Sequence, residues 1–248
     1  MSDVLTMTGR CARLSRRNVE ALITSLALPV MLMLLFVYLF GGAIETGSRH
    51  YVTYVVPGVI LLCAGFGSAS TAVSVSQDMA GGIVDRLRSL DVRGSAVLAG
   101  HVAATVVRNA ASTALVFAVA FAIGFRSSAG PVAWLEVAGL LLAFVVAISS
   151  FAAAIGLLAR SPEAASGFTF FVMFLPYASS AFVPIHSMPW WIQGFALHQP
   201  ITPVVEAVRA LLLGGSVGSD AWIALAWCAG ILAVSAAASG ALFQRRAA

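Results

Sequence analysis

Acid–base, ligand or charge chemistry in this chain would have to rest on a short roster: Arg108, Glu136, Glu206, Arg209, Asp220, and the histidines His186 and His198. A nucleophile with its base, or a metal centre, needs such groups clustered at suitable spacing. Here they are scattered. Glu136 and Asp220 stand at the ends of apolar runs, and His186 and His198 sit in a proline-rich segment with no further ligands beside them. No metal site is expected. Glu206 and Arg209 are three residues apart, the spacing of an ion pair along one helix face. Arg108 lies about two turns into an apolar run, where an unpaired charge is costly. It either lines a cavity or snorkels to the membrane surface.

The basic residues also exclude a chemistry. All 14 are arginine and none is lysine. A P-loop needs a lysine to reach the nucleotide phosphates, so this chain holds no P-loop ATPase. Cys11, Cys63 and Cys228 are far apart and odd in number, which points to small apolar residues and not to a disulfide or metal framework.

The elements that must carry these groups are apolar helices. Hydrophobic residues make up 60% of the 248 and charged ones only 10%, with mean hydropathy +0.96. Soluble domains carry about 25% charged residues, so lipid must cover part of this surface. We expect an all-α integral membrane protein, one domain over 1–248. Spans are expected at about 21–41, 55–76, 101–124, 134–158, 165–183 and 221–243, behind an N-terminal interfacial helix in residues 1–20. The first run is uncharged from Ala21 to Ile44, longer than the core of a cleaved signal peptide, so it reads as a retained span. Ten arginines fall on the side of the two termini and three on the other. By the positive-inside rule both termini are cytoplasmic.

Two polar stretches stand out. In Gln77–Gly100, Ile83, Leu87 and Leu90 share one face of a short helix, while Asp85, Arg86, Arg88 and Asp91 take the others. Gly81-Gly82 leads into it, Gly94 ends it, and Ser95 can cap the next span. Such a helix either presses its apolar face into a groove on a soluble partner or lies on the surface as a solvated loop. In Ser179–Gly215, four prolines (Pro184, Pro189, Pro200, Pro203) cut the chain into pieces too short to span, and Trp190 and Trp191 suit the membrane boundary. Thr202 can cap a helix with Pro203 at its first position, ending at Gly214-Gly215. Broken helices of this kind dip into a membrane only where protein or water satisfies their backbone.

Both stretches resemble ABC type-2 exporter permeases, specifically the daunorubicin-resistance-like branch. The cytoplasmic loop of that branch is matched by Asp78, Gly82-Ile83, Asp85-Arg86, Arg88-Ser89-Leu90 and Ala96–Gly100. Asp91 stands where the family usually has proline, and His101 where it usually has arginine or a similar residue. The outer signature is matched by Pro200, Arg209 and Gly214.

The resemblance implies a coupling helix between spans 2 and 3, with Asp78, Gly82, Ile83, Asp85, Arg86, Leu87, Arg88, Leu90 and Arg93 meeting a separate ATPase subunit. It implies outer re-entrant helices between spans 5 and 6, carrying Pro200, Glu206, Arg209 and Gly214. A second permease copy would face spans 1 and 5. ATP and magnesium would belong to the partner ATPase, with no cofactor and no catalytic residue in this chain. The substrate implied is a hydrophobic drug, natural product or lipid-linked molecule moved outward through the bacterial cell membrane. Arg108, Phe171, Phe174 and Tyr177 are candidates to line its path. Membrane lipid is the other partner, and no nucleic acid is expected. Two other readings stay open: a proton-coupled secondary carrier and an intramembrane lipid-modifying enzyme.

Overall fold

The computed structural model describes residues 8–9, 19–41, 51–82 and 94–245. Within them the chain is helical and no strand occurs. The elements are α1 (Val19–Leu35, continued by a wider π-helical turn Phe36–Phe40), α2 (Tyr51–Ala80), α3 (Gly94–Ala122), α4 (Pro131–Leu158), α5 (Pro162–Phe174, continued by a 3-10 turn Leu175–Ala178), a 3-10 turn Ile185–Ser187, α6 (Trp190–His198), α7 (Ile201–Leu213) and α8 (Asp220–Arg245). Four helical segments among the described residues are long and apolar enough to cross a membrane: Tyr51–Ala80, Ala96–Ala122, Pro131–Leu158 and Asp220–Leu242. Leu26–Phe40 is a shorter apolar helix. The expected interfacial helix in 1–20 and the coupling helix in 83–93 lie largely or wholly outside the described residues.

Helix α2 is the hub, packing against α1, α3, α4, α5 and α7. It is apolar on every face, the signature of a helix enclosed by others, and nearly all its residues from Tyr51 to Ala64 are buried. Helices α3 and α8 are peripheral and leave Val107, Leu115, Trp222 and Val234 exposed, the faces that lipid or another subunit would cover.

Three sequence boundaries are corrected. Helix α2 extends four residues beyond the expected span at each end, so Pro57 lies well inside it and not in its first turn. A proline is tolerated in such a helix where neighbours satisfy the freed backbone. Helix α3 begins at Gly94, seven residues early, so within the Asp78–Gly100 stretch residues 94–100 are helix and not loop. Hydropathy ends a span at the first polar residue, but the helix continues where that residue finds a partner. Span 5 is shorter than expected. α5 has 13 residues and tightens to a 3-10 turn at Leu175, because Pro176 has no N–H to continue the α-helical ladder. It also starts three residues before the expected 165: Ser161 Oγ accepts from the Ala164 N–H and Pro162 opens the first turn. The Glu163 carboxyl there is held below the usual range by its own backbone N–H and by Ser161.

The turn 179–183 leans on α2 at Gly58. A Cβ at Gly58 would stand 2.6 Å from the Ala181 carbonyl oxygen and 2.6 Å from the Ala181 Cβ. Gly58→Val is expected to overpack this contact and cost about 1–3 kcal/mol. The check is the unfolding temperature in detergent; an unchanged value would mean that the turn is free to move away from α2.

Candidate functional site

The outer polar cluster is built around α7. Its apolar residues fall on one face, and Val204, Val205, Val208 and Leu212 are fully buried there. Arg209 shares the buried side. Its Nη1 donates to Glu206 Oε1 at 2.6 Å. Its Nη2 donates to the Tyr54 carbonyl at 3.1 Å and to the Ser180 carbonyl at 2.8 Å. The guanidinium lies 3.8 Å over the Tyr54 ring, a cation–π stack. Tyr54 Oη in turn donates to the Ser180 carbonyl, and Tyr51 Oη to the Phe182 carbonyl. One side chain therefore ties α7, α2 and the turn after α5 together. This is a structural knot.

The rest of the outer motif frames the knot. Pro200 precedes α7 at its N-cap position and Gly214 ends it in the left-handed conformation, φ 71°, where a side chain would be strained. The expected cap is corrected: α7 starts at Ile201, and the Thr202 hydroxyl donates to the Ala196 carbonyl of α6. Gln199 Nε2 donates to the Leu175 and Ala178 carbonyls, tying this corner to the end of α5.

At the opposite end of α2, Asp78 is not a loop residue. It sits in the last turns of α2, buried, with its Oδ2 3.0 Å from His101 Nε2 of α3. Gly82 lies in the turn that closes α2, where the Gly81 and Gly82 N–H groups reach back to the Gln77 and Met79 carbonyls. Ile83, Asp85, Arg86, Leu87, Arg88, Leu90 and Arg93 lie outside the described residues. The pair joins the two helices that flank them.

Arg108 turns toward α2. Its Nη2 donates to the Gly67 carbonyl (3.0 Å), to Ser70 Oγ (2.5 Å) and to Thr105 Oγ1 (3.2 Å). Phe171, Phe174 and Tyr177 are exposed, Phe171 most of all at 72%. Phe174 and Tyr177 belong to a ladder of rings that crosses from α5 to α1. Consecutive centroids from Phe170 through Phe174, Tyr177, Phe182 and Phe36 to Phe40 are 4.7, 6.0, 5.3, 4.4 and 5.5 Å apart.

A separate cavity of about 420 Å³ lies between α3 and α4. None of the four residues expected to line a path borders it. Its walls repeat one spacing on both helices: Val106, Asn109, Ala110 and Thr113 on α3 match Trp134, Val137, Ala138 and Leu141 on α4. That helical period is legible in the sequence, though hydropathy alone does not separate it from an ordinary packed face. Among the described residues no group of three His, Cys, Asp or Glu side chains could hold a metal ion.

This arrangement has relatives. Residues 2–213 match the model of the ABC-2 type transporter family. The chain belongs to that family. It is 30% identical, over 99% of its length and 87% of the relative's, to the daunorubicin resistance ABC transporter permease protein DrrB1 of Streptomyces coeruleorubidus. It is 26% identical, over 95% of its length and 86% of the relative's, to the probable doxorubicin resistance ABC transporter permease protein DrrC of Mycobacterium tuberculosis. As an ABC-2 permease it is a multi-pass membrane protein, in keeping with its apolar helices.

Proposed function

We propose that this chain is the membrane-spanning subunit of an ATP-driven exporter, working as one of two permease copies over separate ATPase subunits. One observation carries the reading: a member of the ABC-2 transporter family contains no lysine. ATP must then be bound elsewhere, on a partner that holds the nucleotide and its magnesium. In this reading the chain crosses the membrane six times. The four long helices are joined by α1 with its π-helical continuation and by α5 with its 3-10 turn. The arginine distribution supports cytoplasmic termini, and the relatives are bacterial, so the site of action is the bacterial cell membrane.

In this reading the coupling device is the stretch 83–93, which joins α2 to α3 in sequence. The Asp85-Arg86 side chains and the apolar face of Ile83, Leu87 and Leu90 would meet the ATPase. The exposed aromatic surface of α5 and α1 suits both contact with the second copy and passage of a hydrophobic substrate. The relatives' names refer to resistance to daunorubicin and to doxorubicin. A ladder of rings offers aromatic molecules stacking at every step, so an apolar aromatic drug is the substrate class we favour, with Phe171, Phe174 and Tyr177 along its path. The carrier and enzyme readings draw no support from the geometry: Glu136 is exposed in the second turn of α4 and Asp220 is the first residue of α8.

The test is to co-express the chain with the ATPase encoded beside it, reconstitute both, and compare wild type with Asp85→Ala/Arg86→Ala. The subunits are expected to purify together. The double variant should lower substrate-stimulated ATP hydrolysis by about tenfold, the scale of losing one or two polar contacts. If no ATPase co-purifies, or if the variant couples normally, the reading falls.

A further inference from the structure

The α3–α4 cavity opens on a face that neither the ring ladder nor the outer knot uses. Ala110, Ala114, Ala138 and Leu142 line it and are themselves exposed, so it is a groove open to the surroundings. Small residues on both helices help create it: larger side chains at Ala110 and Ala114 of α3 and Ala138 of α4 would close it. Almost no polar surface faces into it. In a membrane such a groove does not stay empty, because unfilled walls lose their dispersion contacts.

Its length and ends say what fills it. From Trp134 to Val145 the α4 wall rises roughly 16 Å at 1.5 Å per residue, about half of the ~30 Å hydrocarbon core. The groove therefore covers one leaflet. Trp134 closes the end nearest the α3–α4 loop, its ring 5.0 Å from that of Phe117 in an edge-on arrangement. Tryptophan favours headgroup depth. At the same end the exposed Arg126 is anchored through Nη1 to the Phe121 and Phe125 carbonyls, and the Phe121 ring lies 6.4 Å from that of Trp134. A held cation thus stands at headgroup level above an apolar slot one leaflet long. The nearest carboxylate on α4, Glu136, is two residues from Trp134, which turns it to the opposite side of that helix.

We propose that this groove is a site for one anionic phospholipid of the leaflet on the α3–α4 loop side, an acyl chain lying between the helices and the phosphate on Arg126. The site depends on the chain being in a bilayer and not on the export reading, so its test uses neither ATPase nor substrate. The full chain, purified in detergent and stripped of lipid, is titrated with dioleoyl phosphatidylglycerol or dioleoyl phosphatidylcholine, and retained lipid is counted by native mass spectrometry.

One phosphatidylglycerol per chain should be retained, about fivefold more tightly than phosphatidylcholine, as one interfacial arginine predicts. Arg126→Gln should erase the preference. Ala138→Phe and Ala114→Phe fill the groove from its exposed side and should each remove the adduct. Val234→Phe, on the exposed face of α8 away from the groove, should keep it. Equal retention of the two lipids by the wild type overturns the proposal. So does an adduct that survives both groove-filling variants, which would put the lipid elsewhere on the protein.

Discussion

Arg209→Leu is expected to cost about 3–5 kcal/mol, the scale of removing one partner from a buried charged pair. The substitution strips hydrogen bonds from the Tyr54 and Ser180 carbonyls and leaves Glu206 without its cation. Every partner sits on a different element, so the loss is felt at the junction of α2, α7 and the turn after α5, not along one helix. Arg209→Lys should rescue little, because an ammonium cannot hold three oxygens in a planar fork and lie over Tyr54 at once. Glu206→Gln should be mild, about 1 kcal/mol, since the Glu206 side chain is 35% exposed against 11% for Arg209. The measurements are unfolding temperature and monodispersity in detergent for the three variants. The ranking is the discriminating result. Equal losses from Glu206→Gln and Arg209→Leu would reduce the knot to a simple ion pair, and a stable Arg209→Leu would remove it.

How much of this was legible in the sequence depends on how far apart the partners stand. The local half of the outer motif was readable: Pro200 before the helix, Glu206 and Arg209 three apart, Gly214 at the end. The other half was not. Tyr54 is 155 residues from Arg209 and Ser180 is 29 away, and no periodicity connects such positions. The same limit explains Arg108. Its sequence environment demanded a partner, but Gly67 and Ser70 carry no polar pattern that names them. Span boundaries erred in one direction for α2 and α3, because hydropathy stops at a charge while a helix continues through a paired one. They erred the other way for α5, where a run of aromatic residues reads as a full span and Pro176 ends it early. The apolar character of the chain and the helical fold were fully legible, since both rest on composition and local pattern, which tertiary contacts do not alter.

His101→Ala is expected to be more damaging than Asp78→Ala, although both break the same contact. Asp78 and His101 are both buried, 23 residues apart in sequence and 3.0 Å apart in space. Removing Asp78 takes away the acidic member of the pair together with its hydrogen bond and leaves no carboxylate behind, at a cost of about 1 kcal/mol. Removing His101 takes a hydrogen-bond partner from a buried carboxylate, whose desolvation then goes less well compensated, so about 3 kcal/mol is expected. Unfolding temperatures of the two variants at neutral pH check the order. The pair also clamps the helices on either side of 83–93. If that stretch carries force from an ATPase, the clamp is what makes α2 and α3 move together. Asp78→Ala, the milder variant, should then fold and bind the ATPase yet lose substrate-stimulated hydrolysis. Normal coupling in a folded Asp78→Ala protein would leave the pair a purely structural contact.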